Sequence, residues 1–234
     1  MALPRINTPK FSLVVPSTKE EVEYRPYLVK EEKILMMAIE TNDQKQMMTA
    51  LRDVISGCTD GKVNVDKLPM FDMEYIFLKI RAKSVGEVAK IGVKCTECDI
   101  SNELKINLEE VEVKGIMKGS TKIQITDDIG IVLKYPTVKG IKKQLSAKQN
   151  ERENAMSAVV SSIESIYDAE NIHLADDETP ANLLEFIESL TSTQFLKVSE
   201  FFDDMPKLSH DIEFKCSACG EDNHVVLEGL QSFF

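Results

Sequence analysis

The chain reads as an α+β protein, a small antiparallel sheet carrying two cysteine hairpins with helical hairpins beside it. Two observations predict this class. The run Val93-Lys94-Cys95-Thr96-Glu97-Cys98 returns in outline as Phe214-Lys215-Cys216-Ser217-Ala218-Cys219. Asn102 stands four residues past Cys98 and Asn223 four past Cys219, and Leu104 and Ile106 are matched by Val225 and Leu227. Apolar positions on both sides of each Cys pair spell strand, tight turn, strand. Around these hairpins, apolar residues recur at three and four, the helical period.

Each hairpin is built like a zinc knuckle, so the sheet is zinc-ribbon-like. The turn points two thiolates at one metal, and a second knuckle supplies two more to close a tetrahedral site. One Cys-x-x-Cys would also suit a redox pair, whereas two with a shared local repeat point to metal. The separation is long: 117 residues, 99 to 215, lie between Cys98 and Cys216, where compact ribbons use about 15–20. The expectation is one structural zinc held by Cys95, Cys98, Cys216 and Cys219. The alternatives are two separate dithiol or disulfide pairs, or knuckles without metal. His224 lies near the second knuckle, but four thiolates fill the site, and it reads as an ordinary strand or turn histidine.

The elements follow in order. Pro4, Pro9, Pro16 and Pro26 flank the apolar run Phe11 to Val15, and proline at that density excludes helix. An extended arm is expected, either a strand on the domain's own surface or one that pairs with a neighbouring subunit. Lys30 to Thr41 is helical, with Ile34, Leu35, Ala38 and Ile39 on one face. Asp43 then caps a second helix carrying Met47, Leu51, Val54 and Ile55. Met36, Met37, Met47 and Met48 crowd this hairpin; they suit an adaptable surface, but core packing is the reading taken. Leu68-Pro69 opens a third helix to Lys83, with Phe71, Tyr75, Leu78 and Ile76 or Ile80 as its stripe.

Val88 to Ile106 forms the first knuckle hairpin. Val111 and Val113, Lys122 to Ile125 and Ile129 to Tyr135 continue as short strands, the last two joined as a hairpin near Asp128. A sheet growing from the first knuckle is expected. Ile141, Leu145, Ala155, Val159, Ile163 and Ile166 then keep a helical period, across a polar middle from Lys148 to Asn154. Asp168 to Glu178 is an acidic loop holding His173, which lacks partners for a metal or phosphate role. Thr179-Pro180 starts a helix bearing Leu183, Leu184, Ile187 and Leu190. After Thr191-Ser192-Thr193 a further helix carries Phe195, Val198, Phe201 and Phe202. The second knuckle and a tail ending in Phe233-Phe234 close the chain.

These pieces divide the chain into a Pro-rich arm (1–29), a helical region (30–86), the first knuckle hairpin with its strands (87–139), a helical insertion (140–206) and the second knuckle with its tail (207–234). Residues 87–234 are expected to form one unit. With 234 residues, 43% hydrophobic and 29% charged, the chain is globular rather than disordered. Its formal net charge of -11 argues against a nucleic-acid or anionic-membrane surface, which needs clustered Lys and Arg. Cys58, the fifth cysteine, reads as a small apolar residue at a helix end. With no signal peptide and no apolar run near the length of a membrane span, a reducing cytoplasm is expected, where Cys-x-x-Cys favours metal over disulfide. No G-x-G-x-x-G, P-loop, H-E-x-x-H or G-x-S-x-G motif occurs, and the histidines are too scattered for a catalytic set. No enzyme is predicted.

Three stretches carry a resemblance. They are Leu3 to Phe11, the central Met73-Glu74-Tyr75-Ile76-Phe77-Leu78-Lys79-Ile80-Arg81, and the C-terminal runs Phe201 to Leu208, Phe214 to Gly220 and Gly229 to Phe234. Together they resemble the T4-type bacteriophage baseplate proteins. The resemblance implies a non-enzymatic protein of a contractile tail, a central hub subunit of the baseplate or a hub-assembly factor. It implies other baseplate and tail proteins as partners, leaves room for a homo-oligomer within a ring, and places the chain in the virion tail or, during assembly, in the host cytoplasm. A zinc-ribbon regulator that binds nucleic acid is the alternative.

Overall fold

The structure, a computed structural model, describes residues 7–115, 117–146 and 151–233. Pro4 and its neighbours Leu3 to Ile6, the Leu145 side chain, the polar run 148–150 and Phe234 lie outside what is described. In chain order the elements are β1 (Phe11–Val14), β2 (Glu21–Tyr24), α1 (Val29–Thr41), α2 (Gln44–Cys58), α3 (Met70–Val85), β3 (Val88–Lys94), β4 (Ser101–Asn107), β5 (Glu112–Lys114), β6 (Thr121–Gln124), β7 (Gly130–Leu133), α4 (Val138–Ser146), α5 (Glu151–Ser162), β8 (Ile163–Tyr167), β9 (Ile172–Leu174), α6 (Pro180–Glu188), α7 (Ser192–Asp203), β10 (Lys207–Lys215) and β11 (Asp222–Glu228). The class is α+β, as expected, with small antiparallel sheets. The chain forms two compact units, one of 1–65, 71–114 and 207–234, the other of 66–70 and 115–206.

The first unit is organised on α3. Phe71, Met73, Ile76, Phe77, Leu78 and Ile80 are all buried, and a helix apolar on most sides must be enclosed. Residues 11–24 form the β1–β2 hairpin, Phe11 opposite Tyr24, with Leu13, Val15, Val22 and Tyr24 buried. The proline-rich stretch thus pairs with itself. Its turn is tied to α3 because Asp72 accepts from the Ser17 amide (3.1 Å) and hydroxyl. Asp43 caps α2 by accepting from the amides of Lys45 and Gln46. In the methionine cluster Met48 is buried but Met36 and Met37 on α1 are exposed, which corrects core packing for that pair. Only Glu31, Leu35 and Ala38 of α1 are buried, so the helix has a narrow inner stripe and an apolar outer face.

The two knuckle hairpins belong to this unit. β3 pairs with β4, ending at Lys94 opposite Ser101, and β10 pairs with β11, ending at Lys215 opposite Asp222. β5 joins the other edge of β10, Lys114 opposite Lys207, so the intervening segment leaves and returns on adjacent strands. Phe233 is fully buried, which settles the described part of the tail as packed.

The second unit holds the sheet β6-β7-β8-β9. β6 and β7 form the expected hairpin, Ile123 opposite Ile131, but their other neighbour is β8. They do not extend the sheet of the first knuckle. Helix ends at Ser162, and Ile163 and Ile166 lie in β8, correcting the helical period drawn through them. Pairing of β8 along β7 outweighs a periodicity that β-branched residues support weakly. Gly130 lets the sheet close, since a Cβ there would collide with the Tyr167 ring. Thr179 caps α6 with Pro180 in the first turn, and Thr191 with Gln194 forms a capping box on α7. Leu183, Ile187, Val198 and Phe201 face inward with Ile131 and Leu133.

Candidate metal centre

Both knuckles fold by the same local hydrogen bonds. In the first, the Cys95 amide donates to the Ile100 carbonyl (2.9 Å) and the Asp99 amide to the Cys95 carbonyl (3.1 Å). In the second, Cys216 donates to Glu221 (2.8 Å) and Gly220 to Cys216 (3.0 Å). The residue after each second cysteine is left-handed, with φ 57° at Asp99 and 79° at Gly220. The turns aim their sulfurs at one another. Cys95 Sγ lies 3.6 Å from Cys219 Sγ, and Cys98 Sγ lies 3.7 Å from Cys216 Sγ. All four sulfurs fall within 4.8 Å of each other.

Those distances discriminate between chemistries. A disulfide needs sulfurs about 2.05 Å apart, and all four thiols are free. A tetrahedron with sulfur about 2.3 Å from its centre has edges of about 3.8 Å, close to the two spacings observed. Cys95 and Cys216 are buried, Cys98 is half-buried and Cys219 exposed, so the cluster is closed on one side and approachable on the other.

Charge is distributed unevenly over the sulfurs. The amides of Cys219 and Ala218 donate to the Cys216 sulfur and, with Asn102, hold its thiol down at about 6. The amides of Cys98 and Glu97 lower Cys95 in the same way. Cys219 moves the other way. The Glu221 amide lowers it, but hydrogen bonding with Cys98, burial and the neighbouring sulfurs of Cys216 and Cys95 together push it up to about 12. One sulfur in each knuckle is therefore the easier to ionise, and a dication among the four would favour the thiolate at each.

The structure brings together all four cysteines that the spacing singled out. His224 lies exposed on β11, 3.6 Å from Asp211, and is not among the clustered ligands. His173 pairs with Asp168 at 3.3 Å on an exposed surface of the second unit. Sequence reading assigned no role to Asn102 and Asn223, which are buried and reach the cysteines across the hairpins. Their signal was present as an equal offset in both knuckles.

Two hairpins from distant parts of an α+β chain thus meet in a set of four thiols close enough to hold one metal ion. The chain belongs to the T4 bacteriophage base plate protein family, whose model matches residues 8–234. No curated protein and no solved structure matches it.

Proposed function

We propose that this chain is a non-enzymatic component of a phage baseplate, a central hub subunit or a factor in hub assembly, in which Cys95, Cys98, Cys216 and Cys219 hold one structural zinc ion. The observation that carries the metal reading is the convergence of four thiols within 4.8 Å from hairpins 117 residues apart (99 to 215). A metal ringed by four thiolates has no open position for water. Its contribution is folding free energy, about 10–16 kcal/mol in zinc-finger peptides. The protein then works through its surface. Family membership supports other phage tail proteins as partners, and the exposed Met36, Met37 and Ile39 on α1 offer an adaptable apolar contact. The net charge of -11 opposes nucleic acid as a primary partner. Among the described residues no helix is long and apolar enough to cross a membrane. The location that fits is the tail baseplate of the virion, or the host cytoplasm during assembly.

Purified protein is expected to carry about one zinc per chain, and Cys216→Ser to lose both the metal and the docking of the hairpins. A metal-free wild type, and a Cys216→Ser variant that melts where it does, would reject the zinc. The baseplate role is tested separately, by capture with tagged chain from infected cells. Tail proteins should be recovered, and their absence counts against the assignment.

A further inference from the structure

We infer that Asn102 and Asn223 are the positioning residues of the cysteine cluster, two reciprocal amides that lock each knuckle onto the other and donate to one sulfur in each. This rests on the zinc reading and extends it past the four ligands. Asn102 belongs to the first hairpin but serves the second. Its Oδ1 accepts from the Ser217 amide (2.9 Å) and hydroxyl (2.8 Å), and its Nδ2 faces Cys216 Sγ at 3.7 Å. Asn223 does the reverse. Its Oδ1 accepts from the Thr96 amide (2.9 Å) and hydroxyl (3.0 Å), and its Nδ2 faces Cys95 Sγ at 3.5 Å. Each Nδ2 also donates at 3.0 Å to a carbonyl of its own loop, Ile100 or Glu221.

The hydrogen-bond count explains why both residues are asparagine. A primary amide has two N–H donors and an oxygen with two lone pairs, and here each is used. Turning the amide over would set its N–H groups against two donors, so the Ser217 and Thr96 amides decide which end meets sulfur. An asparagine that only closed its own turn would need the loop carbonyl and nothing across the hairpins. Aspartate would bring a negative charge to a thiolate, and an apolar residue would orphan a backbone N–H. The hydroxyl residue after each leading cysteine completes the match.

The clasp therefore does two things. It sets the hairpins in the register that brings the sulfurs to tetrahedral spacing, and its N–H groups disperse charge on Cys95 and Cys216. Partners of this outer kind are typically worth 10–100-fold in metal affinity.

The test uses the full chain loaded with cobalt(II), whose sulfur-to-metal charge-transfer band reports thiolate donor strength. Zinc affinity is measured beside it by competition with a chelator, and circular dichroism checks the fold. Asn102→Ala and Asn223→Ala are each expected to weaken zinc binding about 10–100-fold and to move the band to lower energy. Asn102→Asp keeps an acceptor for Ser217 but loses the donor to Cys216; it should shift the band even though the hairpins stay docked. Ser217→Ala removes only a hydroxyl and should leave the band in place, separating a role at sulfur from a purely structural one. Where an alanine variant does not fold, the aspartate variant and its mirror Asn223→Asp carry the test. Folded variants with wild-type affinity and band overturn the assignment and leave the four-sulfur site standing. A wild-type chain that takes up neither metal overturns both.

Discussion

Asp99 and Gly220 occupy the same place in the two knuckles, and both are left-handed. Glycine reaches that conformation freely, whereas a residue with a Cβ pays about 1 kcal/mol or more. Asp99→Gly is therefore expected to raise stability, by less than about 1 kcal/mol because glycine also loosens the unfolded chain. Gly220→Val should lower it by about 1–2 kcal/mol. Denaturant melts of metal-loaded protein check both signs. Cys58 is a contrasting cysteine: burial at the end of α2 pushes its thiol up to about 11. It should resist alkylation in the native protein at neutral pH, being both buried and protonated there. The cysteines were legible because ligand spacing is local. The work of Asn102 and Asn223 was not, because each acts on a turn more than a hundred residues away.

At the scale of elements, α1 depends on a buried ion pair. Glu31 accepts from Arg25 at 2.9 Å and from the Leu28 amide at 2.8 Å, and its side chain is only 6% exposed. Burial raises its carboxyl, but Arg25, the Leu28 amide and Lys30 outweigh that and hold it below its ordinary value of 4.5. A folded pKa below the unfolded one means that folding favours the ionised form. The contribution is complete above the ordinary value and is lost as pH falls through the folded one. Glu31→Gln should cost about 3 kcal/mol at neutral pH, since the buried Arg25 guanidinium loses its counter-charge. The gap from wild type should close in acid, as read by thermal melts across pH. Other elements were legible where a cap and a period agree, as at Asp43 and Thr179. They failed where a period stood alone. Ile163 and Ile166 fit a helix locally, yet β8 pairs along β7. Met36 and Met37 lie on a helix whose buried stripe is narrow, which residue type does not reveal.

On the scale of the whole chain, one compact unit is gathered from three segments, with the cysteine cluster joining the second of them to the third. If metal maintains that junction, chelation should release amide protection in β3, β4, β10 and β11 while α6 and α7, in the other unit, keep theirs. Hydrogen exchange with and without chelator measures this. The α+β class could be read ahead because strands and helices announce themselves locally. Which sheet β6 and β7 join could not, since pairing with β8 is decided across the chain. The most direct measurement of the central claim is X-ray absorption at the zinc edge on purified protein. The account predicts one zinc per chain surrounded by four sulfurs at about 2.3 Å. Absence of stoichiometric zinc, or a zinc with nitrogen or oxygen among its nearest neighbours, would contradict it.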